Sequence, residues 1–557
     1  MKICAIGSIC CNNKLQIIPE ETVSFEGRFP NGLKKPRHIK KYIAYIDFGK
    51  YSPRVKKFKS YAIPVHNEAI AQRLQQQYTS EEFQSLYTFA KKKGVFDYVM
   101  DEKKGFVKTS LIKRKENNLM SDLIWITDTC HNMELIKEKN PQDCVKVFNK
   151  LGELYEGQQS NFDRIISNPN IYRESGFWPQ ETNGVGHCFE RTTKQPHKYF
   201  AKTRLESIGN YLSTFSDLVN TGFSGGKYGY RTAAEIPNNI IESICNCVKY
   251  LDAIHYPTAR SCGVWEEQTF VNSLTSDTAI INNGIRNIMD IMYMPTNDNN
   301  IFQLRNRLRN AKYGKIFDEQ KILEDLLSDG VRRVQEQPIA ETLKGDSNHQ
   351  VTPREEKCLE RIDDSALSFI PQMETLVQEN IYADCAKKMY CLIKMSNELV
   401  KENGALRYKG DKYLKLDWHK LKKQMSYNAN PQEAQWFLVS EISSAYGTIV
   451  EELLDNIEKK GSMTQKDKKY LDIAIQKQTE FINRSYARIT PKGMTKSNGY
   501  SCPAYKVPEA YEAVTCNNGK IKYVPGAHPL TWAHSSLKKA SDSFIKNLER
   551  IEKLSLL

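Results

Sequence analysis

Beyond about residue 120, most of the chain carries apolar residues at the three- and four-residue spacing of amphipathic helices. In the clearest segment six apolar residues share one helical face: Ile240, Ile241, Ile244, Val248, Leu251 and Ile254. The same spacing recurs at 143–156, 204–219, 374–400, 434–458, 465–483 and 533–556. Strand-like alternation is rare there, and no repeat of about 20–50 residues is present. This pattern predicts an all-α domain of roughly 440 residues, built from paired helices closed into a ring.

The first part of the chain has a different pattern. Apolar runs predict strands at 3–11, 42–48 and 60–65. Residues 80–93 have the spacing of an amphipathic helix. We therefore divide the chain into a small mixed α/β region of unknown role, residues 1–117, and a helical domain, residues 118–557. Because the apolar runs are too extensive to stay uncovered in so small a unit, we expect the first region to pack across the second.

Net charge is also distributed unevenly along the chain. The formal net charge is +14, and residues 1–120 carry 23 Lys and Arg against 11 Asp and Glu, whereas the rest carries 57 against 55. Basic clusters lie at 32–41, 54–59, 91–93 and 113–115. They are compatible with attraction to nucleic acid or to an anionic membrane surface. We favour a solvated surface instead, because the clusters are separate and no nucleic-acid motif accompanies them.

Composition excludes several classes of protein. With 40% apolar and 26% charged residues the chain is globular, and no window approaches the roughly 18 apolar residues of a membrane-spanning helix. The N-terminal apolar run is short and lacks a signal-peptide cleavage site. The 14 cysteines include no CxxC pair, which argues against a zinc module and favours reduced thiols and a cytoplasmic location. We find no phosphate-binding loop, HExxH or EF-hand motif and therefore predict no cofactor and no metal.

Tryptophans next to carboxylates provide the first chemical signal. Asp128 follows Trp125 closely, and Trp265 directly precedes Glu266 and Glu267. Indole rings stack on the apolar faces of sugars, and carboxylates accept hydrogen bonds from sugar hydroxyls. Glycosidic cleavage needs one protonated carboxyl and one ionised carboxylate. An apolar neighbour and an adjacent like charge both raise the pKa of a carboxyl group, so Glu266 suits the role of general acid.

A set of motifs in a fixed order makes this signal more specific. The motifs are Trp125–Asp128, Pro179–Gln180, Gly263–Glu267, Arg407–Tyr413 (RYKGDKY), Trp436, Pro508–Tyr511 (PEAY) and Pro529–His534 (PLTWAH). In order and approximate spacing they resemble the motifs of the glucoamylase family, glycoside hydrolase family 15. The resemblance covers about residues 118–557. It implies an (α/α)6 barrel of six inner and six outer helices, with the substrate funnel where the loops of the inner helices gather.

The resemblance also implies roles for individual residues. Glu266 corresponds to the general acid of the family, and Glu509 to its general base. The residues implied to contact sugar are Trp125, Asp128, Trp265, Glu267, Arg407, Tyr408 and Trp532. Arg407 is in addition a positive neighbour that can keep one carboxylate ionised.

Two departures from the family pattern modify the expectation. Thr127 occupies the position of a family arginine, which removes one donor to the terminal glucose. The second motif continues Gln180-Glu181-Thr182-Asn183-Gly184, so its acidic residue is lost or shifted. Neither departure removes the two carboxylates of the chemistry.

We therefore expect an inverting, exo-acting glucoside hydrolase that releases glucose from the non-reducing ends of α-1,4-linked glucans or oligosaccharides. The sequence leaves the choice between polysaccharide, oligosaccharide and disaccharide substrates open. The barrel of the regulatory subunits of phosphorylase kinase is also similar. It provides an alternative, a non-catalytic glucan-binding or regulatory module.

Overall fold

A computed structural model provides the fold. It describes residues 45–46, 63–64, 78–101, 105–109, 123–173, 184–191, 193–197, 203–265, 271–272, 274–336, 338, 341, 364–373, 381–411, 433–490, 503–515, 518 and 521–554. The strand predicted at 3–11 and the basic clusters at 32–41, 54–59 and 113–115 lie outside these residues. Among the described helices, none combines the length and apolar character needed to cross a bilayer.

Helices make up most of the described chain. They are α1 Ser80–Lys92, α2 Ile126–Lys139, α3 Asp143–Glu156, α4 Gln159–Ser167, α5 Asn170–Arg173, α6 Glu206–Phe223, α7 Asn238–Ile254, α8 Thr275–Tyr293, α9 Asn299–Asn310, α10 Gln320–Glu336, α11 Ile381–Leu399, α12 Val439–Lys460, α13 Gln465–Ala487 and α14 Thr531–Leu554. Two 3-10 turns, Ser365–Phe369 and Pro371–Met373, lie before α11. The predicted helical segments are confirmed, with their ends shifted by a few residues.

The strands are short, apart from one hairpin. They are β1 Tyr45–Ile46, β2 Ile63–Pro64, β3 Met100–Asp101, β4 Phe106–Val107, β5 Leu123–Trp125, β6 Cys188–Glu190, β7 Arg260–Ser261, β8 Val271–Asn272, β9 Val400–Lys401, β10 Gly404–Ala405, β11 Gln435–Trp436, β12 Pro508–Thr515 and β13 Ile521–Pro529. The last five form one antiparallel sheet in the order β13-β12-β11-β10-β9. The others pair in twos, and β1 with β2 falls within the runs predicted as strands.

Local sequence signals explain several helix starts. Thr79 and Glu82 form a capping box at the start of α1, in which each side chain accepts a hydrogen bond from the backbone N–H of the other residue. Thr464 and Asp467 do the same for α13. Such caps satisfy backbone donors that would otherwise have no partner at a helix N-terminus.

The inner ring consists of α2, α6, α8, the two 3-10 turns, α12 and α14, and α14 packs back against α2. Neighbouring inner helices run parallel. Thr127 near the start of α2 donates to Glu206 at the start of α6, and Lys137 near the end of α2 pairs with Asp217 further along α6. In the contacts of α6 with α8, of α12 with α14 and of α14 with α2, early residues of one helix likewise meet early residues of the other, and later residues meet later ones. The N-termini of the inner helices therefore meet at one end of the ring.

The outer helices run in the opposite direction and cover the inner ring. Ser443 near the start of α12 donates to the carbonyl of Gln478 late in α13, whereas Lys460 at the end of α12 pairs with Asp467 at the start of α13. The remaining outer positions are taken by α1, α3, α7, α10 and α11, which pack on inner helices or on one another. This arrangement is the predicted all-α barrel.

Two glycines bring inner helices α6 and α8 into backbone contact. A Cβ atom on Gly209 would lie 2.7 Å from the carbonyl oxygen of Ile280, and one on Gly284 would lie 2.7 Å from the carbonyl oxygen of Gly209. Any larger residue would push the helices apart. The ring therefore closes tightly at this seam.

The segment 324–365 is rich in charged residues, a sequence pattern that by itself predicts an exposed excursion, and the described residues of the segment show that this prediction is wrong for them. Residues 324–336 belong to the outer helix α10, with Leu326, Arg333 and Val334 buried. The carboxyl groups of Glu341 and Asp364 are buried as well. Most charged residues of α10 face solvent, with Arg333 as an exception, whereas its apolar positions lie on the face that packs on α8. Charge density alone does not reveal this amphipathic arrangement.

Residues 78–96 belong to the same hydrophobic core as α12, α13 and α14. The ring of Phe83 is fully buried and makes edge contacts with Tyr78, Tyr486 and Phe544. This is the packing expected for the end of the N-terminal region. The division of the chain into two units at residue 117 stays a prediction.

This packing leads to a stability prediction. Phe83→Ala should lower the free energy of unfolding by about 3–5 kcal/mol, because it removes a buried ring and leaves a cavity. Urea unfolding of the full chain measures it. Gln84→Ala, at the exposed neighbouring position, serves as the control and should change stability by less than about 0.5 kcal/mol. Equal stabilities of the two variants would contradict the packing.

Candidate functional site

The N-terminal ends of the inner helices form a polar cluster inside the barrel. Each of five inner elements carries a buried acidic residue in its first turn or at its N-cap: Asp128, Glu206, Asp277, Asp364 and Glu441. The positive end of a helix dipole favours negative charge at this position. One end of the barrel therefore presents carboxyl groups, which can accept hydrogen bonds from a polyhydroxylated ligand.

Trp125 and Asp128 occupy one side of this end. The indole belongs to β5, which leads directly into α2, so that Asp128 falls in the first turn of that helix. Both side chains are buried. The hydroxyl of Thr127, where the resemblance places an arginine, donates to Oε1 of Glu206 at 3.2 Å.

A guanidinium group is nevertheless present beside Thr127. Arg204, just before α6, is buried and pairs with the same Glu206 carboxylate. This pair is not among the residues predicted from the sequence. Arg204 and Glu206 stand at the start of the helical segment predicted at 204–219, but only the closure of the ring places them next to Thr127.

The loop that leads to Trp265 is tied to two inner helices. The Ser261 hydroxyl donates to Asp277 and accepts from the backbone N–H groups of Gly263 at 3.2 Å and Leu205 at 3.3 Å. Burial, together with the nearby Glu206 carboxylate, raises the pKa of Asp277 well above its ordinary value. Burial therefore favours the protonated form of the Asp277 carboxyl group, which also accepts the Ser261 hydrogen bond.

Trp265 and Arg407, from motifs about 140 residues apart in sequence, meet through Asp364. The Trp265 indole N–H donates to Oδ1 of Asp364 at 2.9 Å, and the backbone N–H of Ser365 donates to the carbonyl oxygen of Arg407 at 2.8 Å. Asp364 also forms a β-bridge with Tyr408. Asp364 is not among the residues predicted from the sequence, because the local pattern does not reveal that it caps the short turn Ser365–Phe369.

The Arg407 guanidinium lies among aromatic rings. It donates two hydrogen bonds of 2.7 Å to the carboxylate of Asp411, within the same motif. It also lies 4.8 Å from the ring centre of Trp436 and 5.7 Å from those of Trp265 and Tyr408. The structure therefore brings these predicted residues together, with the arginine held flat by a bidentate ion pair.

Glu509 lies in β12, half-buried, next to the strand of Trp436. Its backbone carbonyl accepts from the N–H of Phe437 at 3.2 Å, and Trp436 pairs with Ala510. The pairing of β12 with β13 shifts register between Pro508 and Ala510, that is, at Glu509 itself. Such irregularities re-aim side chains and are frequent beside functional sites.

Trp532 is the second residue of α14, which begins shortly after β13. Its ring stacks on the imidazole of His131 in α2, with centres 4.6 Å apart and planes at 10°, and Phe437 contacts its edge. Desolvation, together with nearby positive charge, lowers the pKa of His131 to about 3, so the imidazole is neutral. Trp532 thus contacts both helix α2, through His131, and the end of strand β11, through Phe437.

Two groups of predicted residues lie outside the described part of the chain: Glu266 and Glu267, directly after Trp265, and the motif around Gln180. The other predicted residues are described and lie at one end of the barrel. Within the described residues no group of His, Cys, Asp and Glu could hold a metal ion. All described cysteines are buried and free of disulfide bonds.

The described residues thus form an all-α barrel, one end of which is lined by aromatic side chains and carboxyl groups.

Solved structures with a similar backbone include a wild-type glycosidase at 12% identity, covering 84% of this chain and 99% of that one, with a TM-score of 0.47. A variant glycosidase in complex with glucose has the same identity and coverage and a TM-score of 0.46. Glucoamylase from Saccharomycopsis fibuligera is 14% identical over 85% of this chain and 97% of that one, with a TM-score of 0.48. No protein-family model and no curated protein matches.

The raised pKa of Asp277 predicts how stability depends on pH. The folded protein keeps this carboxyl group protonated where the unfolded chain, with a pKa near about 3.9, has lost the proton. Its contribution to stability is thus fully present below that value and declines as pH rises. Asp277→Asn, which cannot ionise, should therefore gain stability relative to wild type between pH 4 and pH 8.

Thermal unfolding of both proteins across this pH range measures the difference. The matched control is Asp290→Asn, the same substitution at an exposed position of the same helix. A difference in stability between Asp277→Asn and wild type that stays constant with pH would contradict the raised pKa of Asp277.

Proposed function

We propose that the protein is an inverting, exo-acting glucoside hydrolase that releases glucose from the non-reducing ends of α-1,4-linked glucans. The observation that supports it is the convergence of Trp125, Trp265, Trp532 and Glu509 at the carboxyl-lined end of the barrel. Indole faces and hydroxyl acceptors together suit a sugar ring. A half-buried carboxylate on a register shift beside them suits a catalytic group.

The proposed reaction uses two carboxyl groups. Glu266 donates its proton to the glycosidic oxygen as the bond to the anomeric carbon breaks. Glu509 removes a proton from a water molecule, which attacks the anomeric carbon from the opposite face. One water is consumed, and the released glucose has inverted configuration. This geometry requires the two carboxyl groups to lie about 6.5–9.5 Å apart, to leave room for the water.

The remaining residues bind and orient the sugar in this proposal. Asp128 accepts hydrogen bonds from hydroxyl groups of the terminal glucose, and Trp125 and Trp532 form apolar walls. Arg407, Tyr408 and Glu267 contact the sugars on either side of the scissile bond. The ion pair with Asp411 fixes the Arg407 guanidinium before substrate arrives, which reduces the entropic cost of binding.

We further place this activity in a reducing compartment such as the cytoplasm. The described cysteines are buried and form no disulfide bonds, which supports that location. We propose no cofactor for the reaction, since the two carboxyl groups supply its acid and its base.

The direct test is to incubate the purified protein with maltoheptaose and to follow the anomeric form of released glucose by NMR. β-Glucose is the expected first product, since inversion converts an α-linkage. Initial release of α-glucose would contradict the mechanism. Tight oligosaccharide binding without hydrolysis would favour the non-catalytic glucan-binding module.

Substitutions test the individual roles. Glu266→Gln and Glu509→Gln should each lower kcat by about 10²–10⁴-fold, because each removes a proton-transfer group and keeps the side-chain volume. Asp128→Ala and Arg407→Ala should raise KM as well, because those side chains bind the ground state. Initial rates on maltose and maltoheptaose measure both quantities. Near-normal kcat in either Gln variant would refute that assignment.

A further inference from the structure

Arg488 is a buried cation that the proposed chemistry does not use. It follows directly on outer helix α13, and its side chain is 1% exposed. Its guanidinium donates hydrogen bonds to backbone carbonyls only: those of Asn403, Gln435 at 3.1 Å and Pro508 at 3.3 Å. No ion pair of Arg488 occurs with any carboxylate in the described part of the chain.

A buried arginine without an anion is costly. Desolvation disfavours its charged form and lowers the pKa of Arg488 to about 10, so the group still carries its charge at neutral pH. Buried arginines ordinarily pair with a carboxylate. Arg484, one turn earlier on α13, does so, since it is buried and pairs with Glu480. Within the described residues, this cost is offset by the carbonyl groups that Arg488 connects and by the ring of Tyr511.

Each of the three acceptors lies within four residues of a site residue in the sequence. Pro508 directly precedes Glu509, Gln435 directly precedes Trp436, and Asn403 lies in the β9–β10 turn just ahead of Arg407. These acceptors belong to segments that are distant in sequence but adjacent in the sheet. One planar group thus fixes three site-bearing segments relative to one another.

Two neighbours are shaped to hold this guanidinium. A Cβ atom on Gly404 would lie 2.0 Å from Nη1 of Arg488 and 2.3 Å from the carbonyl oxygen of Trp436, so only glycine leaves room. The ring of Tyr511, two residues after Glu509, lies 5.1 Å from Cζ of Arg488, and its hydroxyl donates to the Arg488 carbonyl at 2.9 Å. The side chain and the backbone of Arg488 are therefore both fixed.

We propose that Arg488 is a positioning residue of the site: its guanidinium fixes β12 against β11 and the β9–β10 turn, and thereby holds the Glu509 carboxylate in place for catalysis. This inference rests on the proposed glucosidase function. Arg488 does not touch the substrate. It acts through the backbone of Glu509.

The test replaces Arg488 by lysine and by methionine. Lysine keeps the charge but presents a single point donor, which cannot reproduce the planar fork. We expect both variants to lose about 10–100-fold in kcat, because displacing a catalytic group by about 1 Å costs up to 10²-fold. KM for maltose should stay within about threefold, since Trp125, Asp128 and Trp532 are held by α2 and α14.

α-Glucosyl fluoride identifies the step that is lost. Fluoride leaves without being protonated, so this substrate bypasses the general acid and still needs the general base. The Arg488 variants should be as impaired on the fluoride as on maltose. Normal turnover of the fluoride would remove Glu509 from the explanation and overturn the proposal.

Arg484→Met is the matched control. It removes a buried arginine one turn away and leaves Glu480 paired with Lys477. Its kcat should stay within about twofold of wild type when both are assayed well below their unfolding temperatures. If Arg484→Met and Arg488→Met lost activity equally, the effect would be one of general stability, and the proposal would be wrong.

Should Arg488→Met not fold, Tyr511→Phe provides a milder test, with Tyr486→Phe as its control. Tyr486 donates to or accepts from Ser541 in the core, away from the sheet. Tyr511→Phe should lose about two- to fivefold in kcat, and Tyr486→Phe should lose nothing. Wild-type kcat in Tyr511→Phe or in Arg488→Lys would overturn the inference. An inactive wild-type protein would instead refute the proposed function.

Discussion

The closure of the inner ring, where α14 packs against α2, is the constraint on which the rest of the structure depends. Trp532 stacks on His131, and the Ser535 hydroxyl donates to the His131 carbonyl, so the two ends of the helical domain meet at the site. Because the inner helices are parallel, closing the ring places all their N-termini at the same end. Residues separated by up to about 400 positions in sequence thereby share one small volume.

This geometry determines the electrostatics of the site. Helix N-termini favour carboxylates, but the enclosed end of a barrel also desolvates them. The carboxyl groups differ accordingly: Glu206 pairs with Arg204, whereas Asp277 accepts a hydrogen bond from Ser261 and has a raised pKa. The same balance of burial and partners allows one carboxyl group to act as an acid while another acts as a base.

Two separate parts of the structure carry the site residues. Strand β5 with helix α2, and helix α14, carry Trp125, Asp128 and Trp532, whereas the five-stranded sheet carries Trp436 and Glu509. In the proposed function the first part binds the terminal sugar and the second supplies the base. This separation is what allows binding and turnover to be changed independently by substitution.

The sequence by itself determined the helices. Apolar spacing is local, so it located α3, α7 and α13, whereas the ion pair of Arg407 with Asp411 became apparent only in the structure. The ordered motifs also predicted several residues that the fold does bring together. Only the tertiary structure revealed Asp364 and Arg204, because their roles come from partners on other segments. No local pattern encodes which distant side chain or carbonyl group a buried charge will meet, since closure of the ring and pairing of the sheet decide it.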